Sequence, residues 1–121
     1  PKKYSPNKSI LKLAKKEKVK LTITSKPIEA VLGSDCVMTD KWISMNDKVN
    51  KVSKKKTLKP YQVNKKLMSK ANSDAIFMHC LPVGRGEEVT NEVIDGKKSV
   101  VWRQALNRVH AQKSIIKWCL D

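Results

Sequence analysis

An alternating stretch at residues 20–24 and three short apolar runs, at 36–39, 75–78 and 99–102, are each separated from the next by residues with helical spacing or helix-boundary signals. Runs of four or five residues rich in β-branched side chains and bounded by turn formers suit strands. Strands alternating with helices pair in parallel and connect by right-handed crossovers. The alternation therefore predicts an open α/β sheet. Ser5-Pro6-Asn7 opens a helix whose apolar face is Ile10, Leu11, Leu13 and Ala14, continuing to about Lys18. Pro27 starts a short helix through Leu32 that Gly33 stops. A polar, lysine-rich stretch follows Met45, and residues 60–71 read as a helix with Val63, Leu67 and Met68 inward. Gly84-Arg85-Gly86 forms a turn leading to a short helical piece. Residues 103–120 read as a last helix with Ala105, Val109, Ile116 and Leu120 in one stripe.

With 121 residues, 40% of them hydrophobic, the chain can bury a core, and it is one small domain or a piece of a larger one. No apolar run approaches the ~20 residues of a membrane-spanning helix, and Pro1-Lys2-Lys3-Tyr4 has no apolar leader segment. Cys36, Cys80 and Cys119 are odd in number and widely spaced, which suits reduced thiols in the cytoplasm. Neither His79 nor His110 stands at zinc-ligand spacing from a cysteine, so no metal is expected. The net charge of +15 comes from 26 basic residues, of which only Arg85, Arg103 and Arg108 are arginines. Nucleic-acid readers favour the bidentate guanidinium. The densest stretch, 48–73, has nine lysines and no acid but little aromatic interleaving beyond Tyr61. It reads as a solvated face, with a basic nucleic-acid-binding module as the alternative from a different class.

Open α/β sheets place ligands at the carboxyl ends of their strands. That rule selects residues 40–45, residues 79–82 and the start of the last helix. Asp40 leaves a strand and can pair with an ammonium ion, with the Ser44 hydroxyl four residues on; its plainer role is to cap a loop. Cys80 follows the most apolar strand, where dipoles and a neighbouring carboxylate can tune a thiol. A buried core cysteine is its alternative. Pro82 stops the ladder and can take a cis bond that would turn the Leu81 carbonyl into the site. Arg108, on the last helix, can clamp a phosphate or a carbonyl oxygen, or make a surface ion pair.

In this order, the segments Asp40-Lys41-Trp42-Ile43-Ser44-Met45, Lys59-Pro60-Tyr61-Gln62-Val63-Asn64, Phe77-Met78-His79-Cys80-Leu81-Pro82, Arg85-Gly86-Glu87-Glu88-Val89-Thr90 and Ala105-Leu106-Asn107-Arg108 resemble the C-terminal, ornithine-binding part of the ornithine carbamoyltransferases. The resemblance covers essentially the whole chain. It implies a three-layer, Rossmann-like parallel sheet, incomplete because the domain's first strand and helix are missing. It implies transfer of a carbamoyl group from carbamoyl phosphate to the δ-amine of L-ornithine, giving citrulline and phosphate, without metal or organic cofactor. By position, Asp40 and Ser44 would hold ornithine's α-amino group, with the Met45 backbone near its carboxylate. Cys80 would be the proton acceptor beside the reacting amine. Cys80, Leu81 and Arg108 would meet carbamoyl phosphate, with Arg108 on the oxygen where charge develops. A sister enzyme acting on another amine or amino acid is the nearest alternative.

This sequence departs from the family pattern at Asn46, where Gly is usual, and at Leu106, where Glu is usual. It also lacks the Ser-Thr-Arg-Thr and His-Pro motifs of the family's carbamoyl phosphate domain. The resemblance therefore implies a fragment, residues 1–121 being part of the ornithine-binding domain of a longer, typically homotrimeric enzyme. Residues 103–121 would pack back on the carbamoyl phosphate domain. Without the missing strand, 20–24 and 75–79 would lose a shared neighbour, so the chain alone is expected to be poorly stable and inactive.

Overall fold

The computed structural model describes residues 1–44 and 50–121. Its sheet is small and parallel, as the alternation requires. Strand β1 (Cys36–Thr39) pairs with β2 (Ile76–His79) in the register Cys36 to Ile76 through Thr39 to His79. On the far side of β2, the Phe77 amide donates to the Lys98 carbonyl at 2.8 Å and the Val100 amide to the Phe77 carbonyl at 3.0 Å. β2 is thus flanked on both sides, and Phe77 at its middle is wholly buried.

Six α-helices occur among the described residues: α1 (Lys8–Lys16), α2 (Pro27–Val31), α3 (Lys51–Leu58), α4 (Lys65–Met68), α5 (Asn91–Ile94) and α6 (Val101–Leu120). Side-chain caps open three of them. The Asn7, Asn50 and Asn64 side chains accept amides of α1, α3 and α4, satisfying donors that a helix start leaves without partners. Gly33 ends the α2 region at φ +67°, left-handed backbone that glycine enters without a Cβ penalty. The core joins Val37 and Phe77 of the sheet to Val31, Leu67, Met68, Val93, Ile94 and Val101 of the helices, with Val63 and Val89 between them.

Several expectations are corrected. Residues 20–24 form no strand, because no strand stands beside them to take their backbone hydrogen bonds. The neighbour of β2 is β1, so 75–79 is not the segment left open; the uncovered edge belongs to β1. Only Ser99 of 99–102 bridges β2, and Val101 already begins α6. The stretch 60–71 is broken. Val63 leaves the helical path because its amide donates to the Glu88 carbonyl at 2.9 Å and its carbonyl accepts the Thr90 amide at 3.0 Å. Val63, Leu67 and Met68 are nonetheless buried as expected. Helix α3 was not expected, since its lysines carry no apolar stripe. α6 runs as read, but Val109, Ile116 and Leu120 of its stripe are exposed. Among the described residues, no helix is long and apolar enough to cross a membrane.

Candidate functional site at the strand tips

Parallel strands that pair in register end level with each other. Thr39 opposite His79 therefore puts the next residues, Asp40 and Cys80, side by side at about the 4.8 Å interstrand spacing. Both side chains are exposed, and the Cys80 thiol donates to Asp40 Oδ1 at 2.8 Å. The Lys41 amide donates to the same oxygen at 2.6 Å. These two donors hold the Asp40 carboxyl below the usual aspartate range against an opposing desolvation. The same contact acts oppositely on the thiol. Its hydrogen bond to Asp40, partial burial and the carboxylate's charge raise the Cys80 pKa. At neutral pH the pair is a carboxylate accepting from a neutral thiol. This arrangement can receive an ammonium ion, which would take the place of the thiol proton.

Behind the tip lies an ionisable pair wholly out of solvent. His79 Nε2 faces Glu88 Oε1 at 3.4 Å, and His79 Nδ1 lies on the Cys80 carbonyl. Glu88 also accepts the Gly84 amide. Gly84 permits this approach, since a Cβ there would lie 2.7 Å from Glu88 Oε2. The Leu81–Pro82 peptide is cis and Leu81 is exposed beside Cys80. Trp42 is buried and anchors the segment that leaves Asp40.

The structure brings Asp40 and Cys80 into contact, with Leu81 next in chain. Ser44 is exposed, four residues after Asp40. Met45 and Asn46 lie outside the described residues. Arg108 is exposed on α6 and makes no hydrogen bond or ion pair among the described residues. Its helix is nevertheless registered on the tip. Gln104 Oε1, one turn earlier on the same face, accepts the His79 amide at 3.1 Å. Sequence reasoning missed Glu88 and Gln62 as site-forming residues. An acid beside buried Val89 is the only local signal for Glu88, and it does not distinguish an inward carboxylate from a surface one. No group of three His, Cys, Asp or Glu side chains that could hold a metal ion occurs among the described residues.

Comparison with known proteins places the chain in a family. A family model described as aspartate/ornithine carbamoyltransferase, Asp/Orn binding domain, matches residues 1–119. An ornithine carbamoyltransferase of Rhodopseudomonas palustris is 57% identical over 120 residues, 99% of this chain and 38% of that protein. One from Hyperthermus butylicus is 50% identical, over 96% of this chain and 38% of that protein. The solved ornithine carbamoyltransferase from Pyrococcus furiosus has a TM-score of 0.85 at 42% identity, covering 96% of this chain and 38% of that one. The anabolic enzyme from Campylobacter jejuni gives 0.89 at 34% identity, covering 98% and 40%. The chain thus spans well under half the length of these relatives.

Proposed function

The chain belongs to the aspartate/ornithine carbamoyltransferase family through its Asp/Orn binding domain, and on that premise we propose that it forms the amino-acid side of an ornithine carbamoyltransferase. The reaction moves the carbamoyl group of carbamoyl phosphate to the δ-amine of L-ornithine. A new N–C bond forms, the C–O bond to phosphate breaks, and the amine gives up a proton. The observation that carries the reading is the Asp40–Cys80 contact of 2.8 Å at two level strand tips, open to solvent.

In this reading Asp40 and Ser44 bind ornithine's α-ammonium. Once that cation sits on Asp40, the carboxylate's hold on the thiol proton weakens. Cys80 can then give up its own proton to solvent, and the resulting thiolate orients the δ-amine or takes its proton, a general-base role. Leu81 offers its carbonyl to the carbamoyl group, and Arg108 meets the oxygen where negative charge develops. No organic cofactor or metal is assigned. The longer enzyme is taken to be a homotrimer in the cytoplasm. Its α6 packs on the carbamoyl phosphate domain, a role supported by the exposed Leu106, Val109 and Ile116.

The test is turnover by the longer chain carrying this domain, with ornithine, putrescine and aspartate compared. Ornithine is expected to be preferred by kcat/KM, because putrescine keeps both ammonium groups but lacks ornithine's α-carboxylate. Cys80→Ala and Arg108→Ala should each lower kcat by about a hundredfold or more. Preference for putrescine or aspartate overturns the assignment of ornithine.

A further inference from the structure

The turn after the Cys80 tip is held from outside by one amide. Gln62 Nε2 donates to the Gly86 carbonyl at 2.6 Å and to the Glu87 carbonyl at 2.6 Å. A primary amide has two N–H donors, and here both are committed to consecutive peptide carbonyls of residues 24 and 25 positions away. Two further contacts reach the same turn: Lys59 Nζ donates to the Gly86 carbonyl at 3.3 Å, and Lys55 pairs with Glu87 at 2.5 Å. The next residue, Glu88, points inward. Its backbone carbonyl accepts the Val63 amide, while its carboxylate meets the Gly84 amide and faces buried His79. His79 in turn lies on the Cys80 carbonyl.

We propose that Gln62 is a positioning residue for the strand tip, fixing the 84–88 turn so that Glu88 stays against His79 and Cys80 stays beside Asp40. The contacts form a continuous path. Gln62 holds two carbonyls, the held turn aims the Glu88 carboxylate inward, and that carboxylate lies 3.4 Å from the imidazole from which the tip leaves the sheet. Gln62 touches neither Asp40 nor Cys80, so its influence passes through the turn. The same residue sits four positions beyond α3, the helix that follows the Asp40–Ser44 segment in the chain. Gln62 therefore ties the stretch carrying the amino-acid loop to the turn behind the thiol.

The discriminating variant is Gln62→Glu, which keeps the shape but presents oxygens to two carbonyls and has no donor for them. Gln62→Met serves as an uncharged second variant of similar volume. Asn64→Ala is the control. It removes the α4 cap without touching the turn carbonyls. The first readout is the pH dependence of Cys80 alkylation by iodoacetamide, followed by mass spectrometry of the Cys80 peptide in the longer chain. Both Gln62 variants should move the half-point to lower pH, because a tip released from Asp40 loses the contact that favours the neutral thiol. Asn64→Ala should lower the melting temperature and leave the half-point in place. The second readout is kcat, expected to fall about tenfold or more in the Gln62 variants, since small misplacements of reacting groups are costly. This kinetic readout rests on the carbamoyl-transfer reading, whereas the alkylation readout does not. An alkylation profile that moves no further in both Gln62 variants than in Asn64→Ala overturns the proposal, even if turnover of ornithine is confirmed. An altered profile in an enzyme that does not use ornithine sustains it while removing the substrate assignment.

Discussion

Asp40 and Cys80 each alter the other's proton affinity, and the signs are fixed by a single contact. The carboxylate accepts the S–H and adds a negative charge beside the sulfur, so the thiol holds its proton to higher pH than an ordinary cysteine. Replacing Asp40 by Asn removes the charge and keeps the size. The thiol pKa should then fall, and the half-point of Cys80 alkylation by iodoacetamide should move to lower pH, with faster reaction at pH 8. An unchanged or higher half-point in Asp40→Asn contradicts this account. On the proposed carbamoyl transfer the same shift matters: the neutral thiol is no base until it has lost its own proton to solvent, a loss that a cation on Asp40 favours. The expected sequence of events is therefore binding of the ammonium first and proton transfer afterwards. At this scale the sequence was informative about Asp40 and Cys80, because both follow apolar runs whose parallel pairing makes their ends level. It was silent on Glu88 and Gln62. Their roles depend on where a turn folds back, and no spacing along the chain encodes that.

Helix α1 shows how an element can end at a residue poorly suited to ending it. Its C-cap is Glu17, and Lys18 follows at φ +54°. The Val19 amide donates to the Ala14 carbonyl at 2.9 Å, closing the helix with a left-handed residue where glycine is usual. A lysine pays a steric penalty there that glycine does not. Lys18→Gly should raise stability by about 0.5–1 kcal/mol after allowing for glycine's greater unfolded-state freedom. The urea midpoint checks it, and a lower midpoint for the glycine variant refutes it. Elements were legible where their residues carry their own instructions. The β1 and β2 runs, the Pro27 start with its Gly33 stop, and the helix start at Ser5-Pro6-Asn7 were all read from the chain. Residues 20–24 have a strand's composition, but strand formation needs a partner, and among the described residues none lies beside them. The helical reading of 60–71 failed at Val63 for the converse reason, a distant partner at Glu88 and Thr90 that local periodicity cannot reveal. Helix α3 was hidden because its stabilisation comes from the Asn50 cap and contacts such as Lys55 to Glu87, not from an apolar face.

The accessible surface of the molecule is 9656 Å², whereas a compact monomer of 13.7 kDa should expose roughly 6,600 Å². The excess, about 3,000 Å² on this chain alone, is far above the roughly 800 Å² per partner of a standard interface and is as large as one partner's share of the biggest obligate ones. Much of the exposed apolar surface lies at Ile10 and Leu13 on α1, at Leu21 and Ile23, and at Trp102 and Leu106 on α6. Water contacts these faces over lengths of helix that elsewhere in the fold would be covered, so the chain by itself keeps much of the hydrophobic cost that folding normally removes. The consequence is measurable in the 121-residue chain. It should bind the apolar dye ANS strongly and unfold over a broad range of urea. On the proposed packing of α6, co-expression with the N-terminal portion of the Rhodopseudomonas palustris relative, 57% identical to this chain where they overlap, would supply its cover. ANS fluorescence should then drop severalfold and the transition sharpen. A sharp unfolding transition of the isolated chain with no dye binding contradicts the argument. It would mean that the α1 and α6 faces close on each other or on a second copy, and that the surface excess is not the footprint of a missing domain.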